Sequence, residues 1–272
     1  MDTSEHNHHQ DMKGKIIDKY EIIDKLGHGA FSQIFNAKDI RKGEQVVIKT
    51  EPIDSEISLL KHEASMYIKM RNVNGMLLIK WYGVVDNIRC LVLPYAGVSL
   101  DKIKVTNPLV AINIFHQCIE ALECIHRMSV IHRDIKPANI LVDHEGTCRF
   151  VDFGLSSMFT GVYGGHIEKK TGQNLIGSPS YVSINVHEGC NPSRRDDLES
   201  LCYVYMYISN GRVPWAECSR NMICGMKKNI MGSDEGSLCA SMWGYARRLA
   251  FEQEPEYSIL LGILQDEIEC TH

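Results

Sequence analysis

Ile131-His132-Arg133-Asp134-Ile135-Lys136-Pro137-Ala138-Asn139-Ile140-Leu141 is the stretch that decides the fold. A carboxylate at Asp134 is followed by an ammonium two residues on, at Lys136, and by a carboxamide five residues on, at Asn139. Apolar residues bracket the string at both ends. Packing alone gives no reason to place those three polar groups at those spacings.

Toward the C-terminus, a short strand is expected at Ile140–Val142, then a turn at His144-Glu145-Gly146. The chain then reads Phe150-Val151-Asp152-Phe153-Gly154. This path returns Asp152 to the side of the polar loop, where its carboxylate is a hard oxygen ligand suited to magnesium. Toward the N-terminus, Gly27-His28-Gly29-Ala30-Phe31-Ser32 separates two strand-like segments. A dinucleotide-binding fingerprint would open a helix at this point. Here Gln33-Ile34-Phe35-Asn36-Ala37 alternates like a strand instead. A Walker-type loop is absent, since the nearest match, Gly165–Thr171, lacks the glycine before its lysine. Val46-Val47-Ile48-Lys49 ends a further strand, and a helix is expected over about Glu56–Met70.

In this order the strings resemble the protein kinases, and the resemblance assigns roles. The strand-turn-strand glycine loop, with Leu26 to Ile34, would cover the phosphates of ATP. Glycine lets backbone N–H groups approach the phosphates with no Cβ in the way. Ser32 stands at the third position of that pattern in place of glycine. Phe31 would cap the phosphates or pack under the loop. Lys49 would hold the α and β phosphates, and Glu63 would hold Lys49. Glu56, the alternative partner, lies too near the start of the helix. Asp134 would accept a hydrogen bond from the attacking hydroxyl, and Lys136 would neutralise the moving phosphoryl group. Asn139 and Asp152 would bind Mg2+. A lysine at position 136 is the serine/threonine pattern rather than the tyrosine one.

One branch fits the later motifs. Gly177-Ser178-Pro179-Ser180-Tyr181-Val182-Ser183-Ile184-Asn185, Pro192-Ser193-Arg194-Arg195-Asp196-Asp197-Leu198-Glu199-Ser200-Leu201 and Gly211-Arg212-Val213-Pro214-Trp215 are similar to the casein kinase I family, from about Tyr20 to Leu264. The resemblance implies adenine contacts at Pro94, Tyr95 and Ala96, with Leu93 controlling access behind them. It also implies that Asp197 ties the polar loop to a buried helix. Ser178 replaces the family's threonine but keeps the hydroxyl that would bridge Asp134 and Lys136. The family prefers acidic or pre-phosphorylated sites, for which Arg133 and Arg194 or Arg195 are present. Ser156, Ser157 and Met158 stand where the family has lysines, and Gln173 replaces a basic residue. Cys202 replaces a usual glycine. The family's long regulatory tail does not follow Leu264, so constitutive activity is expected. Thr171, Ser178 and Ser180 are candidate autophosphorylation sites.

Composition agrees with a globular enzyme: 272 residues, 44% hydrophobic and 23% charged. A chain of this length buries roughly three quarters of its unfolded surface. Ten scattered cysteines without a C-x-x-C pair read as small buried hydrophobes in a reducing compartment. No run of 18 apolar residues suggests a membrane span, and Met1–Gln10 lacks a signal-peptide core. His6, His8 and His9 sit in a polar tail. A net charge of -5 argues against nucleic acid as the main partner. The expected fold class is α+β, a two-lobed kinase fold. It has a tail at 1–17, a β-rich lobe at about 18–93, a hinge at 94–97 and a helical lobe at about 98–272. Further strands are expected at Leu77–Tyr82 and Cys90–Leu93. Helices are expected through Ile112, Phe115, Ile119, Leu122 and Ile125, at Leu198–Ser209 and at Met242–Phe251. The expected function is transfer of the ATP γ-phosphate to Ser or Thr of protein substrates by a cytoplasmic or nuclear monomer. The alternative is a pseudokinase scaffold, against which stand Lys49, Asp134, Asn139 and Asp152 together.

Overall fold

A computed structural model describes residues 12–28, 32–231 and 238–271. The polar tail at 1–11, Gly29, Ala30 and Phe31, and His272 lie outside the described residues. The chain divides into two compact units. One comprises residues to Ser65 with Leu77–Tyr95, the other Met66–Met76 with Ala96 onward.

The first unit is a six-stranded antiparallel sheet of order β1-β2-β3-β4-β6-β5. Its strands are β1 (Ile16–Ile17), β2 (Tyr20–His28), β3 (Gln33–Asp39), β4 (Gln45–Pro52), β5 (Trp81–Val85) and β6 (Ile88–Pro94). Alternation along β3, β4 and β6 turns Phe35, Ala37, Val46, Ile48, Cys90 and Val92 into one core. Order begins earlier than the expected boundary at residue 17. Met12 and Ile17 belong to that core, and Gly14 N donates to Ile22 O at 2.8 Å. The strand expected at Leu77–Tyr82 is displaced to β5. Asp86 and Asn87, with φ of 48° and 61°, form a two-residue hairpin turn that sets Val85 opposite Ile88.

Helix α1 (Leu59–Lys69) starts three residues later than expected. Its start coincides with the buried Glu51 carboxylate, which accepts from Leu60 N at 3.2 Å and Ser58 Oγ at 2.9 Å.

The second unit is mainly helical: α2 (Pro108–Arg127), α3 (Ile184–His187), α4 (Arg194–Asn210), α5 (Arg220–Met231), α6 (Leu238–Arg248) and α7 (Tyr257–Thr271). Asn107 caps α2 by accepting from Leu109 N, and Pro108 stands at its first turn. By length and composition α2 could cross a bilayer, with mean hydropathy 1.2. Instead Ile112, Phe115, Ile119, Leu122 and Ile125 are buried, and α4 and α7 pack on it. Two small sheets frame the polar loop. β9 (Ile140–Val142) pairs with β7 (Val98–Ser99) and β10 (Cys148–Phe150), and β8 (Val130–Ile131) pairs with β11 (Ser157–Met158). The helix expected at Met242–Phe251 ends at Arg248, with Phe251 buried beyond it.

Lys227 of α5 is wholly buried. Burial lowers its pKa from 10.5 to about 7, against the upward pull of Glu199 and Cys224. Between those two values the unfolded chain binds more protons at this residue than the native one, so its contribution to stability rises with pH. The unfolding free energy of the wild type minus that of Lys227→Met is therefore expected to increase from about pH 7 to about pH 9. Denaturant titrations at both values check this; a difference that is flat or falls contradicts it.

Candidate active site

In the first unit, cross-strand register sets Gly27 opposite Ile34 and Ile34 opposite Lys49. His28 pairs with Gln33, the last register pair between these two strands. Lys49 is nearly buried, and its Nζ lies 2.8 Å from Oε1 of Glu63 on α1. Glu56 is exposed and precedes the helix. One ammonium is thus held at a fixed place on the strand next to the turn. Leu26 is exposed, and Ser32 is half-buried. Pro94 faces Val46, and Tyr95 N donates to Gln45 O at 3.3 Å, so the chain leaves the sheet in an extended path. Ala96, the first residue of the second unit after it, is buried.

In the second unit the Asp134 carboxylate is ringed by donors. Oδ1 accepts from Ser178 N at 2.9 Å and Ser178 Oγ at 2.8 Å. Oδ2 accepts from Lys136 Nζ at 2.7 Å and Asn139 Nδ2 at 3.1 Å. Lys136 Nζ also reaches Ser178 Oγ at 3.1 Å. Four donors fix one orientation for the carboxylate. Gly177 allows Ser178 this approach. Its φ is 98°, and a Cβ there would meet Arg133 O at 2.5 Å.

Behind the loop, buried Asp197 of α4 accepts from His132 N at 2.7 Å and Arg133 N at 2.9 Å. His126 Nε2 lies 3.0 Å from the same carboxylate. Burial lowers the His126 pKa, against the upward pull of Asp197. A carboxylate only accepts, so Nε2–H donates to Asp197, and Nδ1 is bonded to Tyr257 OH. Burial pushes the Asp197 carboxyl up, but the bonds from His126 and the loop N–H groups outweigh it and the net shift is downward. The ring of His132 packs on Phe153 with centroids 4.9 Å apart, and Tyr67 meets Phe153 edge-on at 5.2 Å.

Asp152 has φ 67° and ψ 69°, a left-handed conformation uncommon for a non-glycine residue. Strain of this kind gathers at functional sites. Val151 N donates to Asn139 O at 3.0 Å, which sets Asp152 next to Asn139. Asn139 uses its amide nitrogen on Asp134, so its amide oxygen takes no part in that bonding. Among the described residues no three His, Cys, Asp or Glu side chains form a metal cage. Magnesium does not need one: it commonly takes one or two protein oxygens and completes its shell with phosphate oxygens and water. Asn139 and Asp152 fit that requirement.

Arg133, Arg194 and Arg195 each place one donor on a backbone carbonyl. Arg133 Nε donates to Leu155 O. Arg194 donates to Glu252 O and lies over the Phe159 ring. Arg195 is buried and donates to Leu249 O. His126 and Tyr257 escaped the sequence reading because their partners lie 71 and 131 residues away in the chain.

A strand unit with a lysine–glutamate pair, and a helical unit with an Asp-Lys-Asn loop and a left-handed Asp before Phe-Gly, are the parts that a protein kinase domain carries. The family model for the protein kinase domain matches residues 20–247, and the chain belongs to that family.

Proposed function

We propose that the chain is an active serine/threonine protein kinase of the casein kinase I type. The single observation that carries this is the Asp134–Lys136–Ser178 arrangement, in which each group lies within 3.1 Å of the other two. A hydroxyl arriving at Asp134 finds an acceptor already oriented, so little ordering remains to be done at the moment of reaction. Lys136 places a positive charge where the transferred group gains negative charge. Asn139 and Asp152 would hold Mg2+, which when bound with ATP neutralises phosphate charge. Lys49, kept in place by Glu63, would bind the α and β phosphates, with Leu26 to Ile34 over them and Pro94, Tyr95 and Ala96 against adenine.

Protein substrates follow from the family. Preference for acidic sites belongs to this proposal and is supported by Lys169 and Lys170, the exposed cations of the segment before Ser178. A peptide library carrying Ser, Thr or Tyr as acceptor, with and without upstream acidic or phosphorylated residues, tests both parts. Transfer to Ser and Thr with at least about tenfold discrimination against Tyr is expected, the factor that one lost transition-state contact of 1.4 kcal/mol would give. Equal use of Tyr would overturn the serine/threonine reading, and indifference to upstream acids would remove the acidic preference.

A further inference from the structure

Beneath residues 178–182 lies a set of buried donors that phosphoryl transfer itself does not use. Pro179 O is 3.0 Å from Lys227 Nζ and 3.0 Å from His187 Nε2. Ser180 O accepts from Trp215 Nε1 at 2.8 Å, and Val182 O accepts from Lys227 Nζ at 2.6 Å. Lys227 Nζ also lies 3.3 Å from His187 Nε2. The same Nζ sits 4.4 Å from the centre of the Tyr203 ring and 5.3 Å from that of Trp215.

Burying an amino group is costly unless it is well bonded, with or without its extra proton. Among the described residues no carboxylate lies within ion-pair distance of Lys227, so its compensation comes from backbone carbonyls and ring faces. A methionine would fill the same path between the rings without desolvating an amino group. What methionine cannot supply is several donors on one atom, able to draw two carbonyls of one segment to a single point. That segment begins at Ser178, which bonds to Asp134 through both its N–H and its hydroxyl. A substrate hydroxyl reaching Asp134 must therefore lie alongside it.

We propose that Lys227 is a positioning residue for the protein substrate: from α5 it pins Pro179 and Val182, and so holds the 178–182 segment in the shape against which the acceptor peptide docks. This rests on the reading of Asp134 as the group that orients the acceptor hydroxyl. Lys227 acts through the segment and touches no reacting atom.

The test is Lys227→Met, with Lys227→Gln as a second variant that retains an amide donor. For Lys227→Met, KM for a serine peptide is expected to rise about tenfold, as the loss of buried bonds to two carbonyls implies, with KM for ATP within about twofold of wild type. Hydrogen exchange at the amides of Ser178 and Ser180–Val182 should quicken. Lys227→Gln should fall between the two proteins on both readouts. If Lys227→Met does not fold, Lys227→Gln carries the same comparison. An unchanged peptide KM in a folded variant would overturn the proposal, as would a parallel loss in both KM values, which is the mark of general loosening. Should the wild type transfer no phosphate at all, the kinase reading fails instead. The exchange rates then decide alone whether Lys227 holds the segment, and unchanged rates would refute it.

Discussion

Asp134→Asn is expected to lower kcat by about 10²–10⁴-fold, the range for a lost acid–base group, while ATP affinity stays within about twofold. The surroundings of the residue explain why an isosteric change is so damaging. Ser178 N, Ser178 Oγ, Lys136 Nζ and Asn139 Nδ2 all donate toward one carboxylate. An asparagine offers one acceptor oxygen and one NH2 group, so one side of it must face donors. The variant loses the hydroxyl's acceptor and disturbs the orientation of Lys136 as well. Single-turnover rates and nucleotide titration on the same preparation separate these effects. An equal loss of ATP affinity would show that Asp134 serves binding rather than transfer.

Asp197→Ala is expected to destabilise the fold by about 3–5 kcal/mol, because it strands several donors at once. His132 N, Arg133 N and the His126 imidazole would all lose their acceptor, with His126 and His132 buried. At about 2.1 cal/mol/K per residue, that corresponds for a chain of this size to a Tm lower by roughly 5–9 °C. Turnover should fall with it, since the two stranded N–H groups immediately precede Asp134. A thermal melt decides the matter: a Tm within about 2 °C of wild type would mean that water or another acceptor replaces the carboxylate.

These two residues differ in how the sequence reveals them. Asp134, Lys136 and Asn139 are legible because their chemistry requires fixed spacings within one short loop, and no helix or strand period competes with the pattern. Glu63 is legible because a helix with Ala64 and Tyr67 on its inner side must turn Glu63 the same way. Asp197 is legible only through its motif. Its partners come from α2 and the loop, and Tyr257, which supports His126, comes from α7, so no local period announces them. Gly225 and Lys227 interrupt the apolar pattern of α5, and Lys227 in particular reads as a surface lysine until the ring faces of Tyr203 and Trp215 are seen around it.

Edges of elements were the least legible part of the fold. The turn at Asp86-Asn87 depends on two residues with positive φ, and missing it moves β5 by several residues. The first strand is only Ile16–Ile17, too short to show alternation, yet it seals the sheet edge with Met12. Arg133, Arg194 and Arg195 each carry a bond to a backbone carbonyl that no sequence pattern announces.

Transfer of the terminal phosphate from γ-labelled ATP and Mg2+ to casein tests the central claim most directly. The wild type is predicted to label serine or threonine, and Asp134→Asn, at equal concentration and with nucleotide bound, to leave the casein at background. Unlabelled casein with the wild type, under conditions where a related kinase labels it, would show that the chain keeps the family's fold without its chemistry.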